Sequence, residues 1–554
     1  MSASNINQPT AIIRADGVTV KFRDEYDGGA FSARLETSSD RITLTVTPKR
    51  PMTFEELSVV GFAEITDSDR IFMNGYQSWT DSREWSKKER MRGIEQIPAP
   101  VVKKYNFDKY GDYGFTHYSP RRGTLHGWTY AYVRDGYDFR LCGSLSEREG
   151  FTRIVLLTDK QRIKLSRECE GAVYCETFKA IDCALLNGTE DEVFDRWQEM
   201  MDLPKRGLDR PALIQGYTSW YRHYQDISEE KLCHDLEAIL SSGMTTDIFQ
   251  IDDGYQTAVG DWLSVDGTKF PNGVKPIAER IHDEGLKAGL WLAPFVCEKN
   301  SSLMELHPDW ILKDEKGKPL AAGCNWSGSY ALDIYNEEVR EYLRKVFDTV
   351  LNDWGFDLVK LDFLYAACIR PAGGKSRGQI MCEAMDFLRE LCGDKLILGC
   401  GVPLGAAFGK VDFCRIGCDV GLSWNDSLVM QQTHRERVST KNSMLNSIFR
   451  RQLNGRFFGN DPDVFLLRED NIKLANCQKQ SLAVINHLYG SVLFTSDDVG
   501  TYSDRQRKLL SQARGFIGGV TEYADFTDGV VTLRINARGR HYTLRLDTTD
   551  GRFI

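Results

Sequence analysis

Two textures divide the chain. From about residue 10 to 200, apolar and polar residues alternate in short runs such as GVTVKFRD, ARLETSSDRITLTVTP and QRIKLSRECEGAVYCETFKAID, broken by Gly, Asp and Asn. Period-2 alternation with turn residues at this spacing predicts an antiparallel β-sandwich. Near residue 204 the pattern changes to apolar strand-like runs separated by helical stretches, the mark of βαβ units around a parallel sheet. The candidate strands are ALIQGYTSWY, TDIFQIDDGY, KAGLWLAPF, DLVKLDFLY, KLILGCG, DFCRIGC, RFFGNDPDVF and SVLFTSDD. Helical patterns lie between most of them, for example SEEKLCHDLEAILSSG and EEVREYLRKVFDTVLNDWG. Eight such strands predict a closed (β/α)8 barrel, typically about 250 residues long. An open doubly wound sheet is disfavoured because no Gly-rich fingerprint follows the first strand. Alternation returns near the end in GVVTLRINARGRHYTLRLDTTDGRFI. The expected fold is therefore multidomain α/β plus β: a sandwich over 1–204, a barrel over 205–504 and a small antiparallel β-domain over 505–554.

Composition narrows the function. The 554 residues are 42% hydrophobic and 27% charged with a formal net charge of −9, which argues against a nucleic-acid partner. No apolar run reaches the ~18–20 residues that cross a bilayer, and MSASNINQPTAIIRADG lacks the basic and apolar regions of a secretory signal. A cytoplasmic protein without a membrane partner is expected. The fourteen cysteines are scattered, many in apolar runs, and read as reduced buried thiols. There is no CxxC or HExxH spacing, so no metal and no cofactor are expected.

In a barrel of this kind chemistry sits at the C-terminal strand ends. Those ends carry Trp220 and Tyr221, Asp252 and Asp253, Trp291, Lys360 and Asp362, Cys400, Arg415 and Asp419, then Asp461, Asp463, Asp497 and Asp498. No Ser/His/Asp order supports acyl transfer, and AGGKS at 372–376 fails as a phosphate loop because its leading position is Ile369. Carboxylates beside aromatic faces suit a sugar: ring C–H faces stack on Trp or Tyr, and hydroxyls donate to carboxylates. Glycoside hydrolysis needs two carboxyl groups flanking the scissile bond. Asp362 is the candidate nucleophile, since it follows the buried run LVKL and shares strand parity with Lys360, whose ammonium favours the ionised form. Asp419, after Phe413 and Ile416, is the candidate general acid/base, with partial burial expected to raise its pKa. Structural alternatives stand beside these readings: a Lys–Asp ion pair at 360 and 362, a helix N-cap at Asp419, core packing for the tryptophans, and loop capping by Asp497 and Asp498.

The motifs GYTSWY, IDDGYQ, GLKAGLWLAPF, HPDW, GFDLVKLDF and the Arg-x-x-x-Asp segment RIGCD resemble glycoside hydrolase family 36, the α-galactosidase (melibiase) family, over nearly the whole chain. The resemblance implies a retaining exo-α-galactosidase acting on terminal α-galactose of small oligosaccharides. Asp362 would be its nucleophile and Asp419 its acid/base, with Lys360 and Arg415 around the nucleophile. It further implies that Asp252 and Asp253 hold O4 and O6 of the ring, and that Cys400 lies near the 2-position. Trp220, Tyr221 and Trp291 would line the pocket, and Trp79 of NGYQSW would reach it from outside the barrel. The chain departs from the family where Lys-Trp-Asp-Met-Asn-Arg becomes KLDFLY, Cys-Ser-x-Gly-Gly-Gly becomes CGVPLG, and Ser-Asp-Asn-Thr-Asp becomes GCDVG. An α-N-acetylgalactosaminidase, a galactosyl transferase and a catalytically inactive sugar-binding protein stay open as alternatives, as does a homo-oligomeric state.

Overall fold

The computed structural model describes residues 6–201, 203 and 212–554. The expected junction between residues 204 and 205 lies outside the described residues.

The N-terminal alternation folds into two antiparallel sheets of six and eight strands. The strand Arg41–Pro48 shows why. Every second residue is buried, and Ile42, Leu44 and Val46 are fully so. Facing residues such as Ile13, Leu57, Val59, Ile154 and Leu165 close a core between the sheets. Burying each such side chain contributes roughly 1.5–3 kcal/mol. The helix Glu190–Met200 then leaves the sandwich, its start fixed by a Glu192 carboxylate that accepts from the Thr189 N–H at 2.8 Å. Its Trp197 donates to the Ser144 carbonyl at 3.0 Å and packs on Phe408 and Phe457 of the barrel. One aromatic side chain thus ties both units to a shared core.

The eight predicted barrel strands all form. In chain order they are Ile214–Thr218, Ile248–Ile251, Lys287–Leu292, Leu358–Leu361, Leu396–Gly399, Phe413–Arg415, Gly459–Asp461 with Val464–Phe465, and Val492–Thr495. Neighbours pair in parallel, the last returning to the first through Ile214 opposite Val492. The seventh strand is split. Gly459–Asp461 pairs with the sixth strand and Val464–Phe465 with the eighth. Pro462, without an N–H to donate, and Asp463, at φ 75°, stand at the break. The turn there closes the barrel covalently.

Helices cover the outer face, among them Glu229–Ser242, Glu337–Asp348 and Arg377–Cys392. A helix that the sequence patterning does not reveal, Thr440–Phe449, lies between the sixth and seventh strands. Nine of its ten residues are buried, Asn442, Ser443, Asn446 and Ser447 among them, so its polar side does not face solvent. After the eighth strand, Asp504–Arg514 is helical and packs beside Asn476–Tyr489; the C-terminal alternation starts only at Val520. Four antiparallel strands follow. They touch both other units, through Arg134–Asp525 at 3.0 Å and the Trp424 indole on the Thr548 carbonyl at 3.1 Å. The fold is a central (β/α)8 barrel flanked by a β-sandwich and a small antiparallel β-sheet. Among the described residues no helix is long and apolar enough to cross a membrane.

Candidate active site

A cavity of about 320 Å³ opens at the C-terminal ends of the barrel strands. The second strand delivers two tandem carboxylates there. Asp252 accepts from Lys360 at 2.8 Å, Gln250 at 2.9 Å and Thr218 at 3.1 Å. Asp253 accepts only from neutral groups: Gln256 at 2.6 Å, the Trp326 indole at 2.8 Å and Gln225 at 3.0 Å. Burial without a cation lifts the Asp253 carboxyl to about 6. Repulsion between the adjacent acids is relieved because one has a counter-ion and the other a set of N–H donors.

The fourth strand, Leu358–Leu361, is buried throughout and ends on Asp362. The Asp362 carboxylate accepts from the Trp291 indole of the third strand at 3.2 Å and from the Phe363 N–H at 2.9 Å. Burial raises its pKa; Lys360 and the Cys400 thiol pull the other way. The short contact of the Lys360 ammonium is to Asp252, while Asp362 feels it through space.

Asp419 is only partly buried. Its side chain is 41% exposed and bonds to Arg415 at 2.8 Å, so it is not withdrawn from water in the free protein. Arg415 is buried and also holds Asp461 at 3.0 Å and Asp463 at 2.9 Å. Three carboxylates around one guanidinium leave a surplus of negative charge. Burial together with that surplus lifts the Asp463 carboxyl to about 7, and Tyr221 donates its hydroxyl to it. Asp497 and Asp498 hold loops: the first accepts the Leu467 and Arg468 N–H groups, and the second caps the turn Val499–Thr501.

Asp252, Asp253, Trp220, Trp291, Lys360, Asp362, Asp419 and Trp79 all line the cavity. Tyr221, Cys400 and Arg415 are not part of that lining: Cys400 accepts from Trp79 and Arg415 bonds Asp419, both lining residues, whereas Tyr221 bonds Asp463. Trp79 arrives from the sandwich. Its indole donates to the Cys400 sulfur at 3.2 Å, and its ring meets Phe363 edge-on at 5.2 Å.

Several lining residues escaped the sequence reading. Phe363 and Trp326 have φ of 53° and 57°, conformations that cost a non-glycine residue about 1–3 kcal/mol. That both occur at this cavity marks its wall as over-determined by its surroundings. Asn325, Tyr110 and Phe107 close one side, with the Tyr110 hydroxyl donating to Asn325 at 2.6 Å. His434, Glu436 and Arg437 come from an irregular segment beside Asp419, whose carbonyl accepts from the Ser439 N–H at 3.0 Å. The pair Asn325-Trp326 between small residues was the one signal available. Among the described residues no group of three or more His, Cys, Asp or Glu side chains is placed to hold a metal ion.

With this geometry in hand, similarity to known proteins can be weighed. The melibiase family profile matches residues 199–373, which include the first four barrel strands and Asp362. An α-galactosidase from Thermus thermophilus, solved with p-nitrophenyl α-D-galactopyranoside, superposes with a TM-score of 0.70 at 25% identity, covering 96% of this chain and 98% of that one. A bifunctional α-galactosidase/sucrose kinase of Mediterraneibacter gnavus is 28% identical over 35% of this chain and 20% of its own length. An A type blood α-D-galactosamine galactosaminidase of Flavonifractor plautii is 33% identical over 22% of this chain and 12% of its own. The matched stretches span about a fifth or less of these two curated relatives. On these grounds residues 199–373 match the melibiase family, and the chain as a whole is similar in fold to an α-galactosidase.

Proposed function

We propose that the protein is a retaining exo-α-galactosidase. The observation that carries this reading is a single cavity in which a buried carboxylate, Asp362, and a water-accessible one, Asp419, face a floor of hydroxyl acceptors. Asp362 is oriented by Trp291 at one carboxylate oxygen and by the Phe363 N–H at the other, which fixes the carboxylate plane for attack on C1. As the C1–O bond breaks, Asp419 transfers its proton to the departing oxygen, and a galactosyl ester of Asp362 forms. Asp419, now ionised, takes a proton from water; the hydroxide adds to C1 and Asp362 leaves. Two inversions return the α-anomer.

Asp252 and Asp253 would hold the ring hydroxyls O4 and O6, with tryptophan faces against the C–H surface. The Lys360 ammonium holds Asp252 in place at 2.8 Å for that task. A cavity of about 320 Å³ suits one terminal sugar with the start of its aglycone, in keeping with exo action. Asp362 contacts C1 in this scheme while Arg415 orients Asp419 from outside the cavity.

The test is a panel of 4-nitrophenyl α-D-galactoside, its 2-acetamido analogue and the α-glucoside. Turnover of the galactoside alone supports the proposal. Turnover confined to the 2-acetamido substrate would move the sugar to N-acetylgalactosamine, and galactose binding without turnover of any member would make the chain a binding protein.

A further inference from the structure

Beyond the sugar cavity runs a groove of opposite charge. Two hollows of about 590 and 580 Å³ share Asp81, Arg83, Glu89, Gln431 and Arg437, and the first also shares His434 and Arg437 with the active-site cavity. His434 and Arg437 therefore stand where the sugar cavity and the groove adjoin. Arg83, Arg90, Arg92, Arg122, Arg435 and Arg437 line its first hollow, against Asp81 and Glu89. Arg83 meets both acids, at 4.0 and 3.0 Å. For the other five arginines, no carboxylate lies within ion-pair distance among the described residues.

Their existing bonds go to neutral atoms. Arg437 donates to the His434 carbonyl at 3.0 Å and the Asn442 amide oxygen at 3.2 Å; Arg92 donates to Gln432 at 2.7 Å. Arg437 is 8% exposed, and the Nε atoms of Arg90, Arg435 and Arg437 are buried without a partner. Arg435 is offset at longer range by Asp112, Asp81 and Glu436, but Arg437 is a buried cation without an ion-pair partner, which is costly, and the cost falls when an anion arrives. A neighbouring group registers the same field. Burial, then Arg83, lowers the pKa of Lys441 on the second hollow, and Arg437 adds to the effect. The groove also begins on the leaving-group side, since the segment carrying Arg437 hydrogen-bonds to Asp419.

We infer that this groove binds the negatively charged part of the aglycone, so that the preferred substrates are α-galactosides linked to a phosphate- or carboxylate-bearing alcohol. The inference rests on the glycosidase reading, and the experiment separates the two. Initial rates on α-galactosyl-glycerol, α-galactosyl-glycerol phosphate and α-galactosyl-glycerate are compared in the full chain at low and high salt. Calorimetry with glycerol, glycerol 3-phosphate and glycerate runs alongside. A kcat/KM at least about tenfold higher for a charged substrate, shrinking with added salt, is expected. Preference for one charged arm identifies phosphate or carboxylate as the group recognised. The double variant Arg90→Gln, Arg122→Gln, outside the sugar cavity, is expected to abolish that preference while leaving α-galactosyl-glycerol turnover unchanged. Equal kcat/KM for neutral and charged substrates, or no tighter binding of either anion than of glycerol, overturns the inference. Tighter anion binding without any galactoside turnover would sustain the groove's ligand class and overturn the glycosidase reading instead.

Discussion

Asp362 sits between opposing influences, and their balance sets the pH at which it can act. Burial raises its pKa, and Lys360 is the largest force in the other direction. In the proposed mechanism Asp362 acts only when ionised, so activity is expected to fall as pH drops through its folded-state value, which burial raises above the ordinary one. Lys360→Met removes the opposing ammonium. The acid limb of kcat/KM is then expected to move to higher pH, and Asp252 loses its counter-ion as well. Leaving a buried charge without its partner costs about 3–5 kcal/mol, so kcat/KM should drop by roughly 10²–10⁴-fold. An unchanged profile measured from pH 4 to 9 would mean that Lys360 serves neither carboxylate. At this scale strand parity made Lys360 and Asp362 legible as neighbours, but not that the ammonium would bond to Asp252 across two strands. The degree of exposure of Asp419 was also hidden, because it depends on the loop after the sixth strand rather than on the apolar residues before it.

At the scale of elements, the loop that carries Trp79 is pinned by a buried arginine from the barrel. Arg450 donates to the Asn74 side chain at 2.9 Å, to the Ser78 carbonyl at 2.6 Å and to the Ile416 carbonyl at 2.8 Å. Burial lowers its pKa to about 10, for its partners are neutral. Arg450→Met would strand three buried acceptors at about 1–3 kcal/mol each. Urea unfolding should show a loss above about 3 kcal/mol, with KM raised where the protein still folds. A loss within about 0.5 kcal/mol would show that the loop holds itself. Strand and helix positions were readable where apolar residues recur with a period, as in LVKL or EEVREYLRKVF. The helix Thr440–Phe449 was not, being buried nearly all round. Nor were the wall segments at 324–326 and 434–437, which have no period and take shape only against Tyr110 and Tyr113 of the other unit.

The whole molecule is a barrel whose active-site wall is completed from outside. Trp79, Phe107 and Tyr110 precede the barrel in the chain yet line its cavity. Glu436 accepts from Thr80 at 2.7 Å and Tyr113 at 2.6 Å, so the two units share buried polar bonds as well as the Trp197 contact. A chain beginning at residue 212 should therefore expose apolar surface, aggregate on expression and lack the proposed galactosidase activity, as judged by light scattering and initial rates. A soluble, active fragment would show that the sandwich is dispensable. The order of three units was legible because texture changes along the chain; their mutual dependence was not, since it lies in single side chains.

The central claim is that Asp362 attacks the anomeric carbon in a two-step displacement. Proton NMR of the first product from 4-nitrophenyl α-D-galactopyranoside, with Asp362→Ala beside the wild type, addresses it most directly. The account expects α-galactose to appear before mutarotation and the variant to be inactive. β-Galactose as the first product, or undiminished turnover by the variant, would contradict it.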